Sequence, residues 1–356
     1  MEDLRAQFPV LERLEYLNTG TTGPIARAAH EAALASLRTQ VEEGRSGHDY
    51  FDGCVERIEL LRGQIAALMA ADLADVAITG STTDGVNSVL GALDLGPGDE
   101  VLTSDQEHPG VLAPLGALRE RRGVTIRVAP FGELADAVTP RTRLVACSHV
   151  SWHTGAIVDT AALAATDALV LLDGAQGLGA VPIDVRALAC DFYAASGQKW
   201  LCGPNGIGYL YARVEHAARL IPAWPGYGSL EDATNALELD LRPDARRLSV
   251  GFPAPHQIEW ALAALDVLAA AGWPALYERA AELAATLADR LGARVKPRGR
   301  STLVTWTVDD PEAEVERLRD AGFVVRDLPG QGTVRASVGA WTDGAALDRL
   351  VELTCS

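Results

Sequence analysis

Between about residues 76 and 212 the chain alternates short β-rich apolar runs with segments of helical periodicity. The runs are Val76–Thr79, Glu100–Ser104, Thr125–Val128, Arg143–Ser148, Ala168–Leu172, Phe192–Ala195 and Gly208–Ala212. Several end in Ser, Asp or Gly, and helical stretches (one from about Asp84, one through Leu118) separate many of them. This alternation predicts an α/β fold with a three-layer, doubly wound, mostly parallel sheet, whose sites lie at the C-terminal strand ends. Ahead of it, Glu56–Ala70 repeats Ile58, Leu61, Ile65 and Leu68 at helical spacing, which is core packing.

After about residue 254 the pattern changes. Helices over Gln257–Ala271 and Pro274–Leu291 lead to strands Thr302–Val308, Phe323–Arg326 and Thr333–Val338, which alternate with helices at Pro311–Ala321 and Asp343–Leu353. The expected organisation is a large domain over residues 15–253. Residues 1–14 and 254–356 form a smaller α+β domain.

The composition, 48% hydrophobic and 22% charged, is that of a globular chain. A formal net charge of −17 argues against nucleic acid or an anionic membrane as partner, because phosphate binding needs a basic surface. No apolar stretch reaches the roughly 20 residues of a membrane span, and the acidic start MEDLRAQ is unlike a signal peptide. Cys54, Cys147, Cys190, Cys202 and Cys355 form no CxxC pair, so no metal cluster or disulfide framework is expected, and a cytoplasmic location follows.

Lysine is scarce. Of 31 basic residues only Lys199 and Lys296 are Lys. Lys296, in RVKPRGR, reads as solvated surface. Lys199, in YAASGQKWLCGPNGIGYLYA, lies between two apolar runs, where desolvation lowers an amine's pKa as Schiff-base chemistry requires. The Ser196-Gly-Gln-Lys199 match to a serine acylase motif lacks its partner elements and is rejected. Asp173 closes the run ALVLLDGAQG, 26 residues before Lys199. It is either a helix cap or the carboxylate that keeps a pyridoxal phosphate (PLP) ring nitrogen protonated. The segment ITGSTTDGV runs from a strand into a helix and offers an anion site suited to a cofactor phosphate. His108, in SDQEHPGV, is a solvent histidine or one that stacks on a cofactor ring. Arg335, in TVRASVG, is an internal ion-pair partner or a clamp on a substrate carboxylate.

Taken together, STTDGVN, DQEHPGV, SHVSWHTG, LLDGAQG, ASGQKWLCGPNGIG and VRASVG occur in the order found in fold-type I PLP enzymes. The chain resembles the class V aminotransferase group, which includes cysteine desulfurases, and within it the cystine or cysteine C–S lyases. The resemblance implies Lys199 as the Schiff-base lysine, Asp173 as the pyridinium partner, His108 stacked on the ring and Gln176 at the phenolic oxygen. Thr82, Thr83, Ser196 and Gln198 would surround the phosphate, although many relatives carry His in place of Gln198. Arg335 would bind the α-carboxylate, with Trp152, His153 and Asn18 on the substrate side. His48 and Tyr50, in GRSGHDYF, are either further pocket candidates or part of a polar loop. Where relatives often supply a partner-subunit Thr, this chain reads SVGFPAPH, which puts that contact in doubt.

Desulfurases carry a nucleophilic Cys shortly before the clamp arginine. Here that interval, VVRDLPGQGTVRAS, has none. The expected reaction is therefore β-elimination from cysteine, cystine or a cysteine S-conjugate, with Lys199 as general base, giving pyruvate, ammonia and a thiol or persulfide in a homodimeric enzyme. The alternatives are transamination, desulfuration, epimerisation, or a PLP-binding protein without activity.

Overall fold

A computed structural model describes residues 1–355. Its strands are β1 (Glu15–Tyr16), β2 (Val76–Thr79), β3 (Glu100–Ser104), β4 (Thr125–Ala129), β5 (Thr142–Ser148), β6 (Leu169–Asp173), β7 (Phe192–Ser196), β8 (Gly208–Ala212), β9 (Leu303–Thr307), β10 (Phe323–Val324), β11 (Arg326–Leu328) and β12 (Thr333–Ser337). Seven of them form one sheet in the order β2-β8-β7-β6-β5-β3-β4. Only β8 runs against its neighbours. The reason is local: β7 reaches β8 through a glycine-containing loop (residues 197–207) and not a crossover helix, so β8 returns antiparallel. Gly206, at φ +86°, supplies the left-handed turn in that loop.

Alternate residues of the central strands feed two cores. Val145, Cys147, Leu172 and Tyr193 face one side of the sheet, and Leu144, Ala146, Leu171 and Phe192 face the other. Burial on both faces is what the near-continuous apolar runs encode. Since β2 is parallel to β7, the C-terminal ends of β2, β3, β5, β6 and β7 open on one edge of the sheet. That edge holds the site.

A further, smaller core gathers Leu287, Val304, Trp306, Phe323, Val334 and Leu347 around the antiparallel sheet β11-β12-β9. The N-terminal segment joins it: β1 pairs with β10, Leu17 packs into this core, and Asn18 bridges to Ser337. The expected strand Phe323–Arg326 is in fact two. Residues 323–324 pair with β1 while 326–328 pair with β12, a change of partner that falls at the buried Val325. The helix Arg27–Glu43, against the helix Pro255–Ala271, was not anticipated. The GRSGHDYF segment is no pocket loop: His48 opens the helix His48–Leu68, and neither His48 nor Tyr50 lines the site. Among the described residues, no single helix is long and apolar enough to cross a membrane.

Candidate active site

The cavity at the sheet edge is built one strand end at a time. Ser81, Thr82 and Thr83 follow β2, His108 follows β3, Trp152 follows β5, Asp173 ends β6, and Ser196, Gln198 and Lys199 close β7. Gln176 comes from the turn after β6, and Arg326 and Arg335 reach in from the small sheet.

Lys199 and Asp173 are a desolvated pair. Burial, with Arg335 and Arg326 adding to it, lowers the Lys199 amine to about 8 against the pull of Asp173. Burial also raises the Asp173 carboxyl, while Lys199 and the Ala175 N–H at 2.9 Å favour its ionised form. The turn after Asp173 can be this tight because Gly174 and Gly177 have no Cβ: either one would collide with the buried Tyr193 side chain. Tyr193 in turn bonds His149 at 3.1 Å, beneath the site.

His108 caps the helix Pro109–Arg122, its Nδ1 accepting the Gly110 N–H at 2.9 Å. That bond fixes a ring protonated on Nε2 only. Burial, then Lys199, Arg326 and Arg335, lower its pKa to about 4, so the ring is neutral. Trp152 stands edge-on to it, with ring centroids 5.1 Å apart. Gln176 accepts from Trp200 Nε1 at 3.0 Å and donates to the Gly20 carbonyl at 2.7 Å, which leaves one amide hydrogen.

At the far end, the first turn of the helix Thr82–Ala92 opens into the cavity, with Ser81 capping Asp84 N–H at 3.1 Å. The hydroxyls of Thr82 and Ser196 are buried there without a partner. Orphaned donors at a helix N-terminus suit an anion. A low-pKa lysine, a buried carboxylate, a neutral imidazole and this anion cup together fit PLP: Lys199 would hold its aldehyde, Asp173 its ring nitrogen, His108 its ring face and the cup its phosphate.

Arg335 is 1% exposed, yet among the described residues no carboxylate pairs with it. Its Nη1 donates to the Trp152 carbonyl at 2.7 Å, while Nε and Nη2 are buried and unpartnered. Directly opposite on β11 stands Arg326. Like charges facing each other across strands are destabilising, and burial together with Arg326 lowers the Arg335 pKa to about 9. This unpaired double cation is the least self-sufficient feature of the cavity.

Two expected residues stand outside the cavity wall. Asn18 is a layer behind it, held in the turn where its Oδ1 accepts the Thr21 hydroxyl at 2.7 Å. His153 is carried past the cavity by the Ser151–Gly155 turn, and its Nε2 is buried without a partner. Sequence reading missed Arg326 and Thr21. A register count across the PGQG turn finds the first, since Leu328 opposes Thr333 and Arg326 therefore opposes Arg335. No motif marks Thr21. Behind His108, Glu107 is also buried, accepting from the Ser104 hydroxyl and from Ser148 N and Oγ at 3.0 and 2.6 Å. Burial raises its pKa to about 7.

The chain is similar to the cysteine desulfurase of Dickeya dadantii, 33% identical over 301 residues that cover 78% of this chain and 72% of the relative. A desulfurase of Klebsiella pneumoniae is 37% identical over 253 residues, 65% of this chain and 62% of its own. Among solved structures, the cystine C–S lyase C-DES in complex with cysteine persulfide superposes with a TM-score of 0.91 at 29% identity, covering 97% of this chain and 98% of that one. A C-DES mutant with glycine covalently linked to its PLP cofactor gives 0.92 at 29% identity, covering 98% of each chain. The aminotransferase class-V family model matches residues 16–304. The chain therefore belongs to the class V aminotransferase family of PLP-dependent enzymes.

Proposed function

We propose that the protein is a PLP-dependent C–S lyase that cleaves cystine by β-elimination, releasing cysteine persulfide, with pyruvate and ammonia from the other half. The observation that carries this reading is the facing pair Arg326 and Arg335, buried or half-buried in one cavity and without carboxylate partners among the described residues. Cystine carries two α-carboxylates across a disulfide. Arg335 takes the carboxylate of the half that reacts and Arg326 that of the leaving half, each through charge-assisted bonds. The similarity to C-DES, described as a cystine C–S lyase, supports the same substrate class.

Bound PLP supplies an electron sink for the pair left when the Cα proton departs. The other steps fall to the chain's own groups. Lys199, largely desolvated, takes the proton from Cα as general base. Asp173, buried at the end of β6, would hold the ring nitrogen in its protonated form. His108, neutral and locked by its Gly110 bond with Trp152 packed edge-on to it, would cover a face of the ring. The electron pair leaves on sulfur as the Cβ–S bond breaks, and water completes hydrolysis of the unsaturated fragment.

A desulfurase instead needs a thiol to accept sulfur. Among the described residues no cysteine lines the cavity, and buried Cys147, Cys190 and Cys202 have raised pKa values that disfavour thiolate. Product analysis on cystine tests the proposal. Pyruvate and persulfide in equal amounts are expected, whereas alanine with a protein-bound persulfide would overturn it. We also propose a homodimer, supported by exposed apolar side chains at Leu34, Val41, Phe51, Trp224 and Phe252.

A further inference from the structure

Arg326 has every electrostatic reason to swing away from the cavity. It faces Arg335 across the strands, it is only half-buried, and an unpaired arginine gains rotamer entropy and hydration in solvent. Two bonds oppose this. Its Nε donates to the Asp327 carbonyl at 3.1 Å, and its Nη1 donates to Thr21 Oγ1 at 3.2 Å. The first is local and fixes only the base of the guanidinium. The second comes from the other end of the chain.

The Thr21 hydroxyl has one proton, which it donates to Asn18 Oδ1 at 2.7 Å. Its lone pairs are thus the part left for Arg326. Asn18 is itself tied down: its carbonyl accepts the N–H groups of Thr21 and Thr22 at 2.9 and 3.2 Å. It also bridges to Ser337 on β12, where the Ser337 N–H donates to Leu17 O at 2.7 Å. The chain of bonds therefore begins on the strand that carries Arg335 and ends on the guanidinium of Arg326. It sets the spacing of the two cations from a common base.

We infer that Asn18 and Thr21 form a positioning relay that holds Arg326 for the distal carboxylate of a dicarboxylate disulfide, so that Asn18 determines specificity without touching the cavity. This rests on the reading of Arg326 given under the proposed function. The relay predicts a selective effect. Losing the Thr21 contact leaves Arg335 and the chemistry in place and weakens only ligands with a second carboxylate.

The test uses two ligands without amino groups, which cannot react with the cofactor: 3,3′-dithiodipropionate, with two carboxylates, and 3-(methyldisulfanyl)propionate, with one. Binding to the PLP-loaded protein is measured by calorimetry for wild type, Asn18→Ala, Thr21→Val, Thr21→Ser and Arg326→Met. Asn18→Ala and Thr21→Val are expected to reduce the preference for the dicarboxylate by about tenfold, the worth of one hydrogen bond to a charged group, and Thr21→Ser to restore it. With cystine as substrate the same loss appears in KM and not in kcat. If Arg326→Met abolishes the preference while Asn18→Ala and Thr21→Val keep it, the relay is refuted and the role of Arg326 survives. If Arg326→Met keeps the preference, the reading of Arg326 falls and the relay with it.

Discussion

Replacing Arg335 with Met separates the stability of the cavity from its binding. The guanidinium makes one hydrogen bond, to the Trp152 carbonyl at 2.7 Å, and leaves Nε and Nη2 unpaired while facing Arg326. Exchanging an uncompensated buried charge for an apolar side chain of similar length stabilises by about 1–4 kcal/mol. Against this, stranding the Trp152 carbonyl costs about 1–3 kcal/mol. The two effects nearly cancel, so Arg335→Met is expected to unfold in urea within about 1 kcal/mol of wild type. Binding has no such compensation. Two charge-assisted bonds to the α-carboxylate, at about 1.5–3 kcal/mol each, correspond to a fall in kcat/KM for cystine of about 10²–10⁴. Urea unfolding by circular dichroism and steady-state pyruvate release measure the two quantities on the same preparation. A loss of stability above about 3 kcal/mol would show the arginine to be a structural pillar. A kcat/KM within tenfold of wild type would show that it binds no carboxylate in the reaction.

Two further predictions concern buried titrating groups. An amine lowered to about 8 is neutral at pH 7 in roughly one molecule in ten, about 300 times the fraction of an ordinary lysine. Capture of PLP by the apoprotein, followed as a yellow borohydride-reducible adduct, should rise with pH and level off above about 8; a rise continuing to pH 10, or capture by Lys199→Ala, contradicts the assignment. Glu107 has a folded-state pKa raised from 4.5 to about 7, so its contribution is fully present below the unfolded value and lost as pH rises through the folded one. Relative to wild type, Glu107→Gln should gain stability between pH 5 and pH 8, by on the order of 3 kcal/mol, and a difference independent of pH in parallel urea titrations would refute it.

The large sheet was legible because its strands are buried on both faces, and such strands announce themselves as apolar runs bounded by turn residues. The helix Arg27–Glu43 was not. It buries only Ala29 and Ala33, and leaves Leu34, Leu37 and Val41 exposed, so no apolar stripe marks it. In the site, residues that follow strand ends could be placed from local sequence, as for Asp173, His108 and Lys199. Asn18 and His153 do not line the cavity, because adjacency to a site segment says nothing about which way a turn carries the side chain. Their placement is set by the local turn bonds to Thr21 and around Ser151, which no motif announces.

The stretch between Arg326 and Arg335 shows how two apparently separate readings are one physical fact. Its short DLPGQG turn, with Gly330 and Gly332 at φ +72° and +63°, closes β11 onto β12 with Leu328 opposite Thr333. Any such closure fixes the register inward, and two pairs further on Arg326 must face Arg335. The same closure leaves no chain between the arginines long enough to carry a thiol into the cavity. Lengthening the loop to host a nucleophilic cysteine would free β11 from this register and let the second arginine drift from the first. The missing thiol and the paired cations are thus alternative uses of one hairpin. On the proposed function, the tight form serves to grip a second carboxylate on the leaving group instead of accepting its sulfur.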